Sequence, residues 1–296
     1  MPRDWESQFR EWSRPPGQTE AERCSNAETA IRNAIKASDK LKSRGISVFT
    51  QGSYRNSTNV RKDSDVDIGI VCADSLFVYE PEGTTDETFG LSPGSYNYKQ
   101  FKDEVGEALV SYFGSSAITR GNKAFDVHET SYHVEADVAP FFEYRHYSQN
   151  GSYLEGVALI PDNGFMRVIN WPEQHYANGV QKNSDTGTRF KSIVRVLKAL
   201  SNEMSANNTS GGNIPGFLIE CLAWNVPNNK FQHSSYTDDV SAALVYLYEN
   251  TKTDELCHKW GEVNEIKYLF RSSQKWTREQ ANDFTVAAWN YVGLGD

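Results

Sequence analysis

The sequence predicts an α+β protein of two lobes, a mixed β-sheet with flanking helices followed by a mostly helical C-terminal lobe. Three observations carry this. Strand-like and helical segments alternate up to about residue 160, the pattern beyond that point is almost wholly helical, and neither half holds an internal repeat. The 296 residues suit two domains at roughly 150 residues each, here 1–160 and 161–296. A cleft between two such lobes is a favoured place for a small-molecule site.

The elements follow in order. AETAIRNAIKASDKL, within 21–41, sets Ile31, Ile35 and Leu41 among helix formers and reads as an amphipathic helix. GISVFTQGS brings Ile46, Val48 and Phe49 into a short strand that ends in a Gly-Ser turn. A polar loop, YRNSTNVRKDS, then leads to the β-branched run DVDIGIVCA, of strand length. Residues 80–98 are rich in Gly, Pro, Thr and Ser and read as a surface loop. Phe101, Val105, Leu109 and Tyr112 repeat at helical spacing over 99–113, and strand-like pieces follow at 116–120, 123–128 and 131–138. Pro140 is expected to end the last of these, because it has no N–H to give to a ladder. Helices are predicted over 190–204, 214–224, 235–248 and 278–291.

Composition excludes several classes. Hydrophobic residues at 38% are enough to bury a core. The longest apolar runs fall far short of the ~20 residues that span a bilayer, and MPRDWESQFREW has no apolar signal segment. A cytoplasmic protein without membrane contact is expected. Its 30 Lys and Arg against 39 Asp and Glu give a net charge of −9, which argues against a general nucleic-acid surface but leaves room for a small basic pocket. Cys24, Cys72, Cys221 and Cys257 form no CxxC pair, so buried thiols are expected rather than zinc or disulfides.

The segment QGSYRNSTNVRKDSDVDIGIV, 51–71, carries the chemistry. Asp65 and Asp67 lie two apart on a predicted strand, so both side chains project from one face. Ile68, Ile70 and Val71 anchor that strand in a sheet. Two carboxylates on one face repel unless a cation sits between them, and Mg²⁺ takes carboxylate and phosphate oxygens. Upstream, across an eleven-residue loop, Gln51-Gly52-Ser53 offers a backbone that can approach a phosphate closely, a hydroxyl beside it and, if a helix starts there, free N–H groups.

Gly-Ser turn, Asp-x-Asp and apolar strand together resemble the signature of the DNA polymerase β-type nucleotidyltransferases. More narrowly, QGSYRNSTNVRKDSDVDI resembles the bacterial CD-NTases, relatives of cyclic GMP-AMP synthase and the oligoadenylate synthetases. The resemblance implies a nucleotidyltransferase core and a third carboxylate on a later strand. YHVEADVAPFF supplies Asp137 for that role, with Glu135 on the same strand face as its competitor. It implies two Mg²⁺ ions, with Mn²⁺ as a substitute, held by Asp65, Asp67 and Asp137. The chemistry so implied is attack of a ribose hydroxyl on the α-phosphate of a ribonucleoside triphosphate with loss of pyrophosphate. The product the resemblance implies is a cyclic di- or trinucleotide signal for antiphage defence.

In KNSDTGTRFKSIVRVLKALSNEM, 182–204, Ile193, Val194, Leu197 and Leu200 form an apolar stripe, while Lys191, Arg195 and Lys198 recur at i, i+4 and i+7. Such a stripe is commonly a solvated face. The stretch also looks like the family's central helix, in which a lysine reaches the nucleotide's phosphates, and Lys198 is the first choice ahead of Arg195 and Lys191. Where many relatives carry a phosphate-touching serine, this chain reads Pro215-Gly216. The resemblance further implies regulatory partner proteins and an effector that binds the product, and no zinc insertion or basic face for double-stranded DNA is visible. The alternatives are linear oligonucleotide synthesis and NMP transfer to a protein or small molecule. A catalytically dead nucleotide sensor is disfavoured because all three carboxylates are present.

Overall fold

A computed structural model describes residues 3–295 apart from 61–64, 93, 95, 131–134 and 165. In chain order the elements are helices and strands α1 (Trp5–Trp12), α2 (Gln18–Ala37), β1 (Ile46–Thr50), α3 (Gly52–Arg55), β2 (Val66–Tyr79), α4 (Tyr98–Phe113), β3 (Ile118–Arg120), β4 (Phe125–Val127), β5 (Ala136–Tyr147), β6 (Tyr153–Leu159) and β7 (Val168–Asn170). Then come α5 (Pro172–Asp185), α6 (Arg189–Ala206), α7 (Gly216–Asn225), α8 (Tyr236–Asn250), α9 (Asp254–Cys257) and α10 (Arg278–Val292). They group into two units, one of Gly17–Arg55 with Ser64–Pro172 and one of Met1–Pro16, Asn56–Asp63 and Glu173–Asp296.

The first unit is a sheet with strand order β1-β2-β5-β4-β3, in which β6 pairs with β5 and β7 with β6. Its only parallel pair among the described residues is β2–β5. Strand β2 forms because Val66, Ile68, Ile70 and Cys72 alternate with other residues and are fully buried, a period-two pattern that selects one face for the core. That core also takes Ile31 and Ile35 of α2 and Phe101, Val105 and Leu109 of α4. Helix α4 is capped by Asn97, whose side-chain oxygen accepts from Gln100 N at 2.9 Å.

Strand β5 does not stop at Pro140. It runs on to Tyr147, pairing with β4 over Ala136–Val138 and with β6 over Phe142–Tyr147. The proline sits where β5 exchanges one neighbour for the other, so the ladder on that side is interrupted there anyway and the missing N–H breaks nothing.

The second unit is helical around α6. Phe190, Ile193, Val194, Val196, Leu197 and Leu200 are all fully buried, packed with residues of α7, α8 and α10. Helix α1 joins this core through Phe9, which is 0% exposed, and Trp5 meets Tyr291 at 5.9 Å between rings. The predicted division at 160 is therefore moved: the chain crosses at 172/173, and 1–16 and 56–63 group with the C-terminal helices. The physical reason is local. Arg195 of α6 donates from Nε to the Ser13 carbonyl at 2.8 Å and from its terminal nitrogen to the Ser57 carbonyl, tying both segments to the helical core. All four cysteines are buried free thiols. Among the described residues no helix is long and apolar enough to cross a membrane.

Candidate active site

The parallel register of β2 and β5 sets Asp67 directly beside Asp137, with Val66 beside Ala136 and Ile68 beside Val138. The apolar members of these rows enter the core, so both aspartates face the other way. Asp65, two residues before Asp67, lies on the same side and adds its charge to the field on Asp137. Asp137 is exposed on this face, and its carboxyl is pushed up to about 6, first by desolvation and then by Asp67, Asp126 and Asp65.

The Gly-Ser turn is built against this row. Gln51 N donates to the Asp67 carbonyl at 2.8 Å, which carries β1 into the single turn α3. Gly52 adopts φ +64, a left-handed conformation, and a Cβ there would lie 1.9 Å from Asp67 Oδ2. Glycine is required twice over, for the backbone angle and for the closeness of approach. Ser53 follows within α3. A second close approach lies one pleat further along β2, where a Cβ on Gly69 would meet the Phe49 ring at 2.4 Å, so that ring lies over the strand on the acidic side.

Sequence reasoning missed two residues of this face. Strand β4 pairs Asp126 with Asp137, and Phe125 and Val127 on either side of it are buried, so Asp126 joins the row. His128 follows with the same phase. Its Nδ1 lies 3.2 Å from Glu135 Oε1 and its Nε2 lies 3.1 Å from Thr119 Oγ1. Glu135, the rival of Asp137 in the sequence, is thus engaged by His128. The usable signal was the apolar-acidic-apolar alternation of Phe125-Asp126-Val127.

The donors are hard carboxylate oxygens under mutual repulsion, which suits a divalent cation. Among the described residues no three His, Cys, Asp or Glu side chains are gathered closely enough to form a ready-made metal shell.

This geometry invites comparison with known enzymes. A cyclic dipyrimidine nucleotide synthase CdnE of Legionella pneumophila is 44% identical over 98% of this chain and 98% of its own. The chain belongs to the cGAS/DncV-like nucleotidyltransferase family. The family model for the C-terminal helical domain matches residues 177–293. A second cyclic dipyrimidine nucleotide synthase CdnE, from Cecembia lonarensis, is 41% identical over 97% of this chain and 98% of that one. A solved structure of Elizabethkingia meningoseptica CdnE cyclic dinucleotide synthase with GTP and Apcpp superposes with a TM-score of 0.81, at 35% identity and 97% and 98% coverage. As a family member the protein is a nucleotidyltransferase with an α+β fold.

The basic stripe of α6 departs from expectation within the helical unit. Lys198 is 5% exposed, and its Nζ lies 3.1 Å from Glu220 Oε2 and 3.3 Å from Thr58 Oγ1. Glu220 also accepts from Thr58 Oγ1 at 2.7 Å and meets His175 Nε2 at 2.9 Å. Burial alone raises a carboxyl, but Lys198, His175 and Thr58 outweigh it and hold Glu220 down at about 2. Lys198 is thus paired with Glu220 inside the helical unit. Arg195 is likewise buried and spent on the Ser13 and Ser57 carbonyls. Lys191 is half-buried, with Nζ 5.7 Å from the Tyr176 ring centroid, and forms no ion pair among the described residues.

Proposed function

We propose that this enzyme joins ribonucleoside triphosphates into a cyclic dinucleotide signal, with pyrimidine bases preferred. One observation supports the chemistry above the rest: Asp67 stands in register with Asp137, and the Gly52 backbone is pressed against Asp67. The pyrimidine preference rests on the two cyclic dipyrimidine synthases at 44% and 41% identity. Antiphage signalling through a product-binding effector, and control by a partner protein, belong to the same proposal.

Asp65, Asp67 and Asp137 are the residues that would hold Mg²⁺ or Mn²⁺, which when bound supplies charge neutralisation for a triphosphate and lowers the pKa of a coordinated hydroxyl. The chain's own residues do the rest. Gly52 and Ser53 present backbone N–H groups and a hydroxyl to the donor phosphates, at the point where the absence of a side chain allows contact, while the Gln51 N–H is held by the Asp67 carbonyl and fixes the turn. The acceptor ribose hydroxyl forms a bond to the α-phosphorus, the bond to the β-phosphate oxygen breaks, and pyrophosphate leaves. Asp137 takes the hydroxyl proton, its carboxyl being the one that desolvation and the neighbouring carboxylates make more basic than usual. Lys191 is the member of the basic stripe that stays a candidate for phosphate. A second transfer in the opposite sense closes the ring.

Purified protein is incubated with all four ribonucleoside triphosphates and Mg²⁺, then treated with phosphatase and analysed by mass spectrometry. A phosphatase-resistant cyclic product rich in uridine or cytidine supports the reading, and a purine-only product overturns the base preference. Pyrophosphate release with linear products, or with label on an added protein or small acceptor, favours the alternative reactions.

A further inference from the structure

A cavity of about 240 Å³ is lined entirely by residues of the helical unit, from α1 and the turn after it, the segment 56–60 and the C-terminal half of α6. Ala199 and Ala206 stand two turns apart on one face of α6, and their short side chains leave the room. Trp12 and Val60 complete the apolar lining. The Trp12 ring is fixed in place, with Phe9 at 6.1 Å, Trp5 at 6.3 Å and the Arg3 guanidinium at 5.4 Å. Arg3 is paired in turn with Glu203, which also accepts from the Tyr291 hydroxyl at 2.9 Å. Glu203 is therefore already engaged. The other polar side chains of the lining are not: among the described residues, Glu11, Arg14 and Asn202 make no side-chain hydrogen bond or ion pair.

This lining narrows the ligand. An apolar site with a few convergent polar groups is the make-up of small-molecule pockets, and the volume lies below the ~300–1,000 Å³ of drug-sized ones. A fixed indole favours the face of a flat conjugated ring. Asn202 offers a ring edge both a donor and an acceptor, Arg14 only donors and Glu11 only acceptors. Glu11 offsets Arg14 and Glu203 offsets Arg3, so the lining carries no net charge and does not suit a triphosphate. We propose that the cavity binds a neutral nucleobase with its ribose, stacked on Trp12 and held at its edge by Asn202, Glu11 and Arg14. The inference goes beyond the reaction proposed above and does not depend on it. Val60 lies five residues before Asp65, so the bound base rests against the segment that leads to the acidic strand.

The test is calorimetric titration of the full chain with adenosine, guanosine, cytidine and uridine, and with their 5′-monophosphates. At least one nucleoside should bind with a Kd below about 1 mM. Trp12→Leu should weaken it about tenfold, the order of one base–aromatic stack. Ala199→Leu, which fills the cavity, should weaken it by at least about tenfold. Asn202→Ala removes a polar contact without removing packing, so it should cost about threefold or more at an unchanged melting temperature. Asp65→Asn/Asp67→Asn should bind within about twofold of wild type, because neither residue lines the cavity. Absence of nucleoside binding at about 1 mM overturns the proposal, as does wild-type affinity in Ala199→Leu or Asn202→Ala. Binding lost in the Asp65→Asn/Asp67→Asn variant overturns it too, since the base then sits in the substrate site. Monophosphates that bind more than about tenfold tighter than their nucleosides would make this an anion site and refute the neutral ligand.

Discussion

The Glu220 network permits a worked prediction. Glu220 is 4% exposed and accepts from or pairs with Thr58, His175 and Lys198, which are themselves 0%, 7% and 5% exposed. Replacing Glu220 by Gln keeps the shape and one acceptor but leaves the Lys198 ammonium buried with no counter-ion. Removing one partner of a buried pair costs about 3–5 kcal/mol. The carboxyl gives a separate figure: its fall from an ordinary 4.5 to about 2 corresponds to about 3 kcal/mol at roughly 1.4 kcal/mol per pH unit. Because the folded value is depressed, that stabilisation is complete above pH 4.5 and is lost as pH falls towards 2.

The assay is urea unfolding at pH 7, supported by thermal melts. Glu220→Gln should lose about 3 kcal/mol, or about 10 °C in melting temperature. Removing both charges in Lys198→Met/Glu220→Leu should recover most of that loss, since two well-packed apolar groups replace a paired charge. A single variant within about 1 kcal/mol of wild type would refute the reasoning, as would a double variant worse than the single one. The same double variant separates two views of Lys198. An internal counter-ion leaves pyrophosphate release near wild type once stability is restored, whereas a phosphate ligand takes activity with it.

Three further outcomes are expected. Asp65→Asn/Asp67→Asn should lower pyrophosphate release by about a thousandfold without lowering the melting temperature, because the loss is several kcal/mol of charge stabilisation in the reaction; a variant that melts earlier would make the two residues structural. Gly52→Ala must place a side chain at φ +64 and 1.9 Å from Asp67 Oδ2, so it should cost about 1–2 kcal/mol of stability and at least about a hundredfold in rate, and an unimpaired variant would show that the turn yields freely. Because burial and the neighbouring carboxylates raise the Asp137 carboxyl to about 6 and it must be ionised to hold a cation, Mn²⁺ affinity without nucleotide should fall by up to about tenfold for each pH unit below 6, and an affinity unchanged between pH 7 and pH 5 would remove Asp137 from the residues that hold the metal.

What was legible in the sequence is what local spacing determines. The period-two placement of Asp65 and Asp67 before Ile68 and Ile70, and the glycine in the turn, needed no knowledge of strand order. Asp126 was not legible, although its strand was, because its meaning comes only from the antiparallel pairing with Asp137. Pro140 misled for a related reason: whether a missing N–H matters depends on which strand lies opposite, and there β4 has ended and β6 has not begun. The basic stripe of α6 was legible only as a face. A helical wheel shows that Lys191, Arg195 and Lys198 share a face but cannot show that Glu220 of the next helix, or the carbonyls of Ser13 and Ser57, wait on that face.

The acidic row is held in place by the apolar residues that alternate with it. In β2–β5 the rows Val66–Ala136 and Ile68–Val138 are buried, and the row between them is Asp67–Asp137. A slip of β5 by one residue would turn Asp137 into the core and bring Ala136 or Val138 beside Asp67. Burying one carboxylate without a partner costs more than the repulsion between two carboxylates at an open surface, where a proton or a cation can relieve it. Hydrophobic burial on one face therefore enforces electrostatic strain on the other. The strain supplies what a phosphoryl-transfer site needs, a fixed and concentrated negative field awaiting positive charge. The apolar residues at 66, 68, 136 and 138 thus act on the chemistry through register, without touching a substrate.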